Sequence, residues 1–393
     1  MTLNDIARLA GVSKATASRA FSNPSAVNEN TRNRVLEIAR KYNFRPNSMA
    51  QAVASRRSGL VGFCLYNKEL PYFGHTFFGP ILDSVTERAK ELDYHVVLAI
   101  TDQTQDAFEE RFIEDAIEGA ILSTFMPEKM VEAFRKRHTP VVLINDELTV
   151  DHTGYVLDDN YGGAKKLIAH LADECGYRSI AFVSNRLSHS SNMLRYIGYI
   201  DALEERGLQP YSSSGLPRYD LFTSLPSKQR RDRAHYGYSP GILNEELFAS
   251  TREYNRTMLT RYGYSEIPRR GTPVIFSGNS PQSAYEGVQD LLNQPELPRA
   301  IFCVSDSLAV GVIKAIKARG LRVPEDIAVC GYDDVESAYL SEPPITTISV
   351  NRAGIGRTAI NLLKSYIDCP NLPRKAIYME NELIVRESTM RSK

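Results

Sequence analysis

From Leu60 onward the chain alternates short apolar runs with longer stretches of helical periodicity. The runs at 60–66 (LVGFCLY), 94–100, 119–124, 140–145, 178–184, 299–304 and 326–331 are dense in Val, Ile, Leu and Phe and predict buried strands. Between them, stretches such as 80–92 and 163–174 place apolar residues every three or four positions, the pattern of amphipathic helices. Strands alternating with helices predict an α/β body with parallel sheets. Two such halves predict two lobes around a cleft, the usual seat of a small ligand.

The first 47 residues follow a different rhythm. Thr2 predicts a helix cap, with Asp5 as the acidic half of a capping box, and Ile6, Leu9 and Ala10 as the inner face. Gly11 stops that helix, because glycine adopts the left-handed end conformation at little cost, and Val12 fills the angle that follows. Ser13 caps a second helix, with Thr16 three residues on and Ala17, Ala20 and Phe21 turned inward. A third helix starts near Asn28, with Val35, Ile38, Ala39 and Tyr42 on one face. Three small helices around a tight glycine turn read as a helix-turn-helix. In that motif the second helix enters the major groove, which puts Lys14, Ala15, Thr16 and Arg19 at base edges. Arg19 suits a bidentate contact to guanine, and Ala15 and the Thr16 methyl suit a thymine methyl. Ser13, Ser18, Asn23, Asn28 and Tyr42 suit phosphate contacts.

Charge sharpens this picture. The 393-residue chain carries no net charge, which alone would argue against a nucleic-acid partner. Residues 1–58, however, hold ten Lys/Arg against three Asp/Glu, a net +7 that leaves the remaining 335 residues at −7. A basic head on an acidic body is the footprint of a phosphate-binding module. The length and a 42% hydrophobic content imply two or three domains. Five scattered cysteines (64, 175, 303, 330, 369) give neither a disulfide framework nor zinc spacing. A signal peptide and a membrane span are both missing from the pattern, so a soluble, cytosolic protein is expected. Gly354–Ala359 (GIGRTA) imitates a dinucleotide loop, but the strand-helix-strand setting with a following acid is absent. HExxH, P-loop and GxSxG patterns are missing, so no enzyme activity, cofactor or metal is expected.

Residues 2–58 resemble the head of the LacI/GalR bacterial transcription regulators, through TLNDIARLAGVSKATASRAFSN, TRNRVLEIA at 31–39 and YNFRPNSMAQAV at 42–53. The likeness continues through 59–66, 119–122, 140–145, 170–184, 299–311, GLRVPEDIAVCGYDD at 320–334 and PPITTI at 343–348. It implies an N-terminal all-α helix-turn-helix head (1–47), a hinge helix (48–58) and a periplasmic-binding-protein-like two-lobed body (59–393), the chain crossing between lobes about three times. Lobe one is expected over about 60–160 and 322–350, lobe two over about 161–321 and 351–393. The resemblance puts Val53, with Ala50 beside it, where the family wedges apolar side chains into the minor groove. It also matches Asp306 and Arg195 to the family's most recognisable effector-binding positions, followed by Asn145, and then Tyr72 or Phe73, Thr124, His189 and Ser280. The same Asp306 and Arg195 could instead pair with each other across the lobes.

The function implied is a transcription regulator, a repressor by expectation, working as a homodimer or tetramer on a near-palindromic operator. Its small-molecule effector would be a sugar or sugar derivative, or alternatively a nucleobase or nucleoside. A solute-binding protein without DNA function is the competing class, disfavoured by the basic head. Residues 211–273 depart from the family. They hold seven of the 21 tyrosines and the basic run KQRRDR at 228–233, with one helix expected at about 244–262. A lid or effector-specificity element, favoured over a DNA-proximal patch, an oligomer contact and a tolerated surface elaboration are all open readings of that segment.

Overall fold

A computed structural model describes residues 1–22, 26–42, 44, 58–66, 76–101, 117–123, 128–145, 153–185, 187, 189–212, 261–262, 264, 273–275, 278–373 and 375–390. The head consists of α1 (Leu3–Leu9), α2 (Lys14–Ser22) and α3 (Glu29–Lys41). Each helix starts as its sequence dictates. Thr2 and Asp5 form the reciprocal capping box, Ser13 Oγ accepts the Thr16 N–H at 3.0 Å, and Asn28 caps α3. Gly11 takes φ +62°, where a side chain would be strained. Ile6, Ala7, Ala10, Ala17, Ala20 and Val35 form a small core of their own. Leu9, expected inside, is 45% exposed, because the buried stripe of α1 runs through 3, 6, 7 and 10.

The body contains two wholly parallel sheets. The first takes β1 (Leu60–Tyr66), β2 (His95–Thr101), β3 (Gly119–Ser123), β4 (Val141–Ile144), β5 (Thr153–Asp158) and β11 (Ala376–Met379), in the order β11-β5-β4-β3-β1-β2. Helices α4 (Phe78–Glu91), α5 (Glu128–Lys136) and α12 (Arg352–Asp368) pack around it. The second sheet is β7 (Val274–Ile275), β6 (Ile180–Ser184), β8 (Ala300–Cys303) and β9 (Ala328–Cys330) in that order. Around it lie α6 (Asn160–Ala169), α7 (Ser190–Glu204), α8 (Pro281–Gly287), α9 (Gln289–Leu292) and α10 (Asp306–Ala318). The short α11 (Glu336–Leu340) follows β9, and β10 (Thr347–Ser349) pairs antiparallel with β12 (Glu382–Ile384).

Three crossings join the lobes: β5 to α6, β10 to α12, and β11 to β12. The number agrees with expectation, but the C-terminal assignments are reversed. Residues 322–350 belong with lobe two, since β9 pairs with β8. Residues 352–379 belong with lobe one, since β11 pairs with β5 and α12 lays Ile355, Ala359, Leu362, Leu363 and Tyr366 inward against that sheet and α4. The chain then returns to lobe two at 382–390, where the Ser388 hydroxyl donates to the Val329 carbonyl. GIGRTA resolves into packing rather than phosphate chemistry. The Gly354 N–H donates to the Asn351 cap, and a Cβ at Gly356 would lie 2.0 Å from Ser84 Oγ and 2.5 Å from the Ile81 carbonyl.

Candidate functional site

On the head, Lys14, Ala15 and Arg19 are exposed along one side of α2, opposite buried Ala17 and Ala20. Thr16 and Ser18 are half-buried. Ser13 and Asn28, expected at phosphates, spend their side-chain oxygens on helix caps and leave their exposed side to solvent. Tyr42, at the end of α3, is 44% exposed. Small side chains beside an exposed cation give a helix that can approach base edges closely. Asn23, Ala50 and Val53 lie outside the described residues, as do Tyr72, Phe73 and Thr124.

In the body, the carboxyl ends of strands from both sheets converge, which is where open α/β sheets bind ligands. Asn145 follows β4 with φ +58°, a conformation asparagine tolerates better than most residues. Its Oδ1 accepts the hydroxyl of Ser191, at the start of α7, at 3.1 Å, a direct link between the lobes. His189 caps α7 by accepting the Ser191 N–H. Asn192 Nδ2 donates to Asn185 Oδ1 at 2.8 Å, and Asn185 Nδ2 reaches Asn279 Oδ1 at 3.4 Å. Ser280, next in the chain, caps α8. The result is a rim of amides and hydroxyls at one end of the cleft.

Beneath the rim lies a charged network centred on Arg195, 5% exposed. Its Nε–H donates to Asn160 Oδ1 at 2.7 Å, Nη1 to the Val304 carbonyl at 2.5 Å and Nη2 to Asp333 Oδ1 at 3.2 Å. The guanidinium stacks on Tyr332, 3.6 Å from the ring centroid. Asp158 Oδ2 lies 3.9 Å from Nη2 and accepts no hydrogen bond among the described residues. These partners touch all three crossings: Asp158 and Asn160 flank the first, Asp333 bridges to Ser349 before the second, and Tyr332 accepts from Asn381 Nδ2 at the third (2.8 Å). Asp333 (φ +105°) and Asp334 (φ +54°) are both in conformations that disfavour side chains. Arg352 holds them by donating to both carbonyls at 2.9 Å, and Arg386 by pairing with the Asp334 carboxylate at 2.7 Å. Burial pushes the Asp333 carboxyl up to about 6, with Arg195 pulling the other way. Burial likewise raises Asp158, again against Arg195.

Asp306, expected at a ligand, lies at the exit of β9. It is fully buried, Oδ1 accepting the Thr347 hydroxyl at 2.7 Å and Oδ2 the Val335 N–H at 2.9 Å. Its carboxylate therefore braces the exit of β9, and a Cβ at Gly331 would sit 2.1 Å from Oδ1. Burial first, then the neighbouring Asp333 charge, raises it well above the usual carboxylate range. Nor do Arg195 and Asp306 pair with each other; Arg195 takes Asp333 and Asp158 instead. Asp158, Asn160, Ser191, Tyr332 and Asp333 were not singled out from sequence. The GYDD run at 331–334 was the one available signal, a glycine and two acids where a strand ends.

Among the described residues no group of His, Cys, Asp and Glu suits a metal, and no helix is long and apolar enough to cross a membrane. Comparison with known proteins agrees with this architecture. Residues 2–47 match the family described as bacterial regulatory proteins, lacI family. Residues 59–220 match periplasmic binding proteins and sugar binding domain of LacI family, and 247–389 match the periplasmic binding protein-like domain. The HTH-type transcriptional repressor PurR of Actinobacillus pleuropneumoniae serotype 3 (strain JL03) is 25% identical over 98% of both chains. That of Pasteurella multocida (strain Pm70) is 24% identical over the same share. Among solved structures, the lac repressor dimer bound to operator and the anti-inducer ONPF aligns at a TM-score of 0.73, with 22% identity, 100% of this chain and 99% of that one. The transcriptional regulator CelR–cellobiose complex aligns at 0.62, with 23% identity and 99% of each chain. With a helix-turn-helix head on a two-lobed, parallel-sheet body, the chain belongs to the LacI family of DNA-binding bacterial transcription regulators.

Proposed function

We propose that this protein is a homodimeric repressor whose affinity for a near-palindromic operator is set by a small effector held between the lobes, and that the effector is a nucleobase or nucleoside. The observation that carries the reading is the amide rim, Asn145–Ser191 and Asn192–Asn185–Asn279, above the Arg195 network that touches all three crossings. A ligand seated there bears directly on the crossings between the lobes. Asparagine side chains present a donor and an acceptor side by side, which matches the edge of a base. The full-length relatives named PurR favour the same class. A sugar is the second reading, supported by the cellobiose complex among the structural neighbours. On the head, Arg19, Lys14, Ala15 and Thr16 read bases, while Ser13, Ser18, Asn28 and Tyr42 lie at phosphates.

The test begins with selection of a duplex from a random-sequence library by the full chain. Anisotropy titrations then measure its affinity with and without nucleobases, nucleosides, mono- and disaccharides. The expected result is a shift of about 5–150-fold with one base-class ligand, and the same factor for DNA acting on ligand affinity. A response confined to sugars selects the second reading. Failure to enrich any duplex overturns the function.

A further inference from the structure

A second cluster of titratable groups lies apart from the head and the cleft, where α6 ends. There the backbone widens into one π turn, His170–Glu174, with the Cys175 N–H donating to the His170 carbonyl at 3.0 Å. In an α-helix residue i+5 lies about 140° round from residue i. The wider π turn, with its i→i+5 bond, instead brings Cys175 back beside His170 and leaves Glu174 on the other flank. His170 is 3% exposed. Nδ1 contacts Glu174 Oε2 at 2.8 Å, while Nε2 lies 3.4 Å from Cys175 Sγ and 3.0 Å from Thr389 Oγ1.

The hydrogens in this network follow from counting. Thr346 Oγ1 donates to the Arg386 carbonyl and accepts the Arg386 N–H, both at 2.9 Å. The 2.7 Å contact between the Thr346 and Thr389 hydroxyls then takes its hydrogen from Thr389. Thr389, its hydrogen committed, accepts from His170 Nε2–H. That same N–H faces Cys175 Sγ, so the sulfur accepts there, a role a thiol fills weakly and a thiolate strongly, beside a ring anchored by the Glu174 carboxylate.

Nucleophile, ring and carboxylate in series is the arrangement that activates a cysteine. We propose that Cys175 is a reactive thiol, a modification site for small hydroperoxides. The thiolate attacks one oxygen of hydrogen peroxide; the S–O bond forms as the O–O bond breaks. The sulfur gives up two electrons to the peroxide and becomes a sulfenic acid. The departing hydroxide takes the Nε2 proton of His170 and leaves as water, while the ring keeps its Nδ1–H on the Glu174 carboxylate and ends as a neutral imidazole. Cys175 is partly exposed and partly packed on the core, and at the neighbouring Gly176 (φ +74°) a Cβ would meet nothing within 4 Å. Cys64, Cys303 and Cys330 are buried, and burial pushes their thiols up. Cys369 is exposed and serves as the internal reference.

The experiment measures iodoacetamide alkylation of the full chain at about pH 7 by peptide mass spectrometry. An unassisted thiol is only a few per cent thiolate at that pH, so Cys175 should react about tenfold faster than Cys369 despite being less exposed. Hydrogen peroxide followed by dimedone should label Cys175. His170→Asn should bring the Cys175 rate down to that of Cys369 or below. Should that variant not fold, Glu174→Gln, on a side chain 66% exposed, should still slow Cys175 several-fold in folded protein. A Cys175 no faster than Cys369, a rate that the substitution in folded protein leaves unchanged, or no dimedone adduct would each overturn the proposal.

Discussion

Replacing Arg195 by Met tests whether the buried network is held by charge. The substitution keeps an unbranched chain of similar reach but removes the cation from Asp333 and Asp158. Asp333 has its carboxyl pushed up to about 6 from an ordinary 3.8, chiefly by burial. A raised acid contributes stability that is present at low pH and lost as pH rises through the folded value. At about 1.36 kcal/mol per unit, its ionisation costs the native protein about 3 kcal/mol above pH 6. Without Arg195 the carboxyl stays protonated, and holding that proton at about pH 7.5 costs about 5 kcal/mol. The Asp333 share of the mutational effect is therefore about 2 kcal/mol at pH 7.5 and close to zero by about pH 5.5, where both proteins carry the proton. The lost bonds to Asn160 and Val304 and the stacking on Tyr332 add a pH-independent loss of a few kcal/mol. Paired urea unfolding curves of wild type and Arg195→Met, followed by circular dichroism at the two pH values, read the difference. A stability loss that is equal at both, or larger at the lower pH, would refute the reasoning.

Three further outcomes are expected. Arg19→Ala should weaken binding to the selected duplex by about 1–3 kcal/mol and relax preference at one base pair, leaving the melting temperature unchanged; a loss spread evenly over all sequences would mark Arg19 as a phosphate contact instead. Gly356→Ala forces a methyl against Ser84 Oγ and the Ile81 carbonyl, and should cost about 1–3 kcal/mol in thermal unfolding; an unaltered melt would mean that α4 and α12 are not so close. Ser191→Ala removes the hydroxyl given to Asn145 across the lobes and should change effector affinity in calorimetry by about 1 kcal/mol; no change would take the rim out of the binding site.

Local features were legible because they depend on residues close in sequence. The Thr2–Asp5 box, the Gly11 turn and the Ser13 and Asn28 caps need only their neighbours. The seven apolar runs each became a strand; all but β2, a half-buried edge, are buried on both faces, and a parallel strand so placed is apolar throughout. Strands β5, β7, β10, β11 and β12 lie outside those runs. TGYVLD is buried but carries Thr and Gly, AIYM is a half-exposed edge strand, β7 has two residues, and β10 and β12 have three each.

The sequence by itself determined the head, the alternation of strand and helix, and the family's residue pattern, because periodicity, capping and motif are written locally. Only the tertiary structure decided which lobe each C-terminal element joins, since apolarity marks a strand as buried without naming its partner. It alone set Asp306 as a brace with both oxygens occupied and gave Arg195 to Asp158 and Asp333. Residues 158, 195 and 333 are far apart in the chain and meet because three crossings converge on one point. In that buried place an acid without a cation is costly, and the Arg195 charge lies between Asp333 and Asp158.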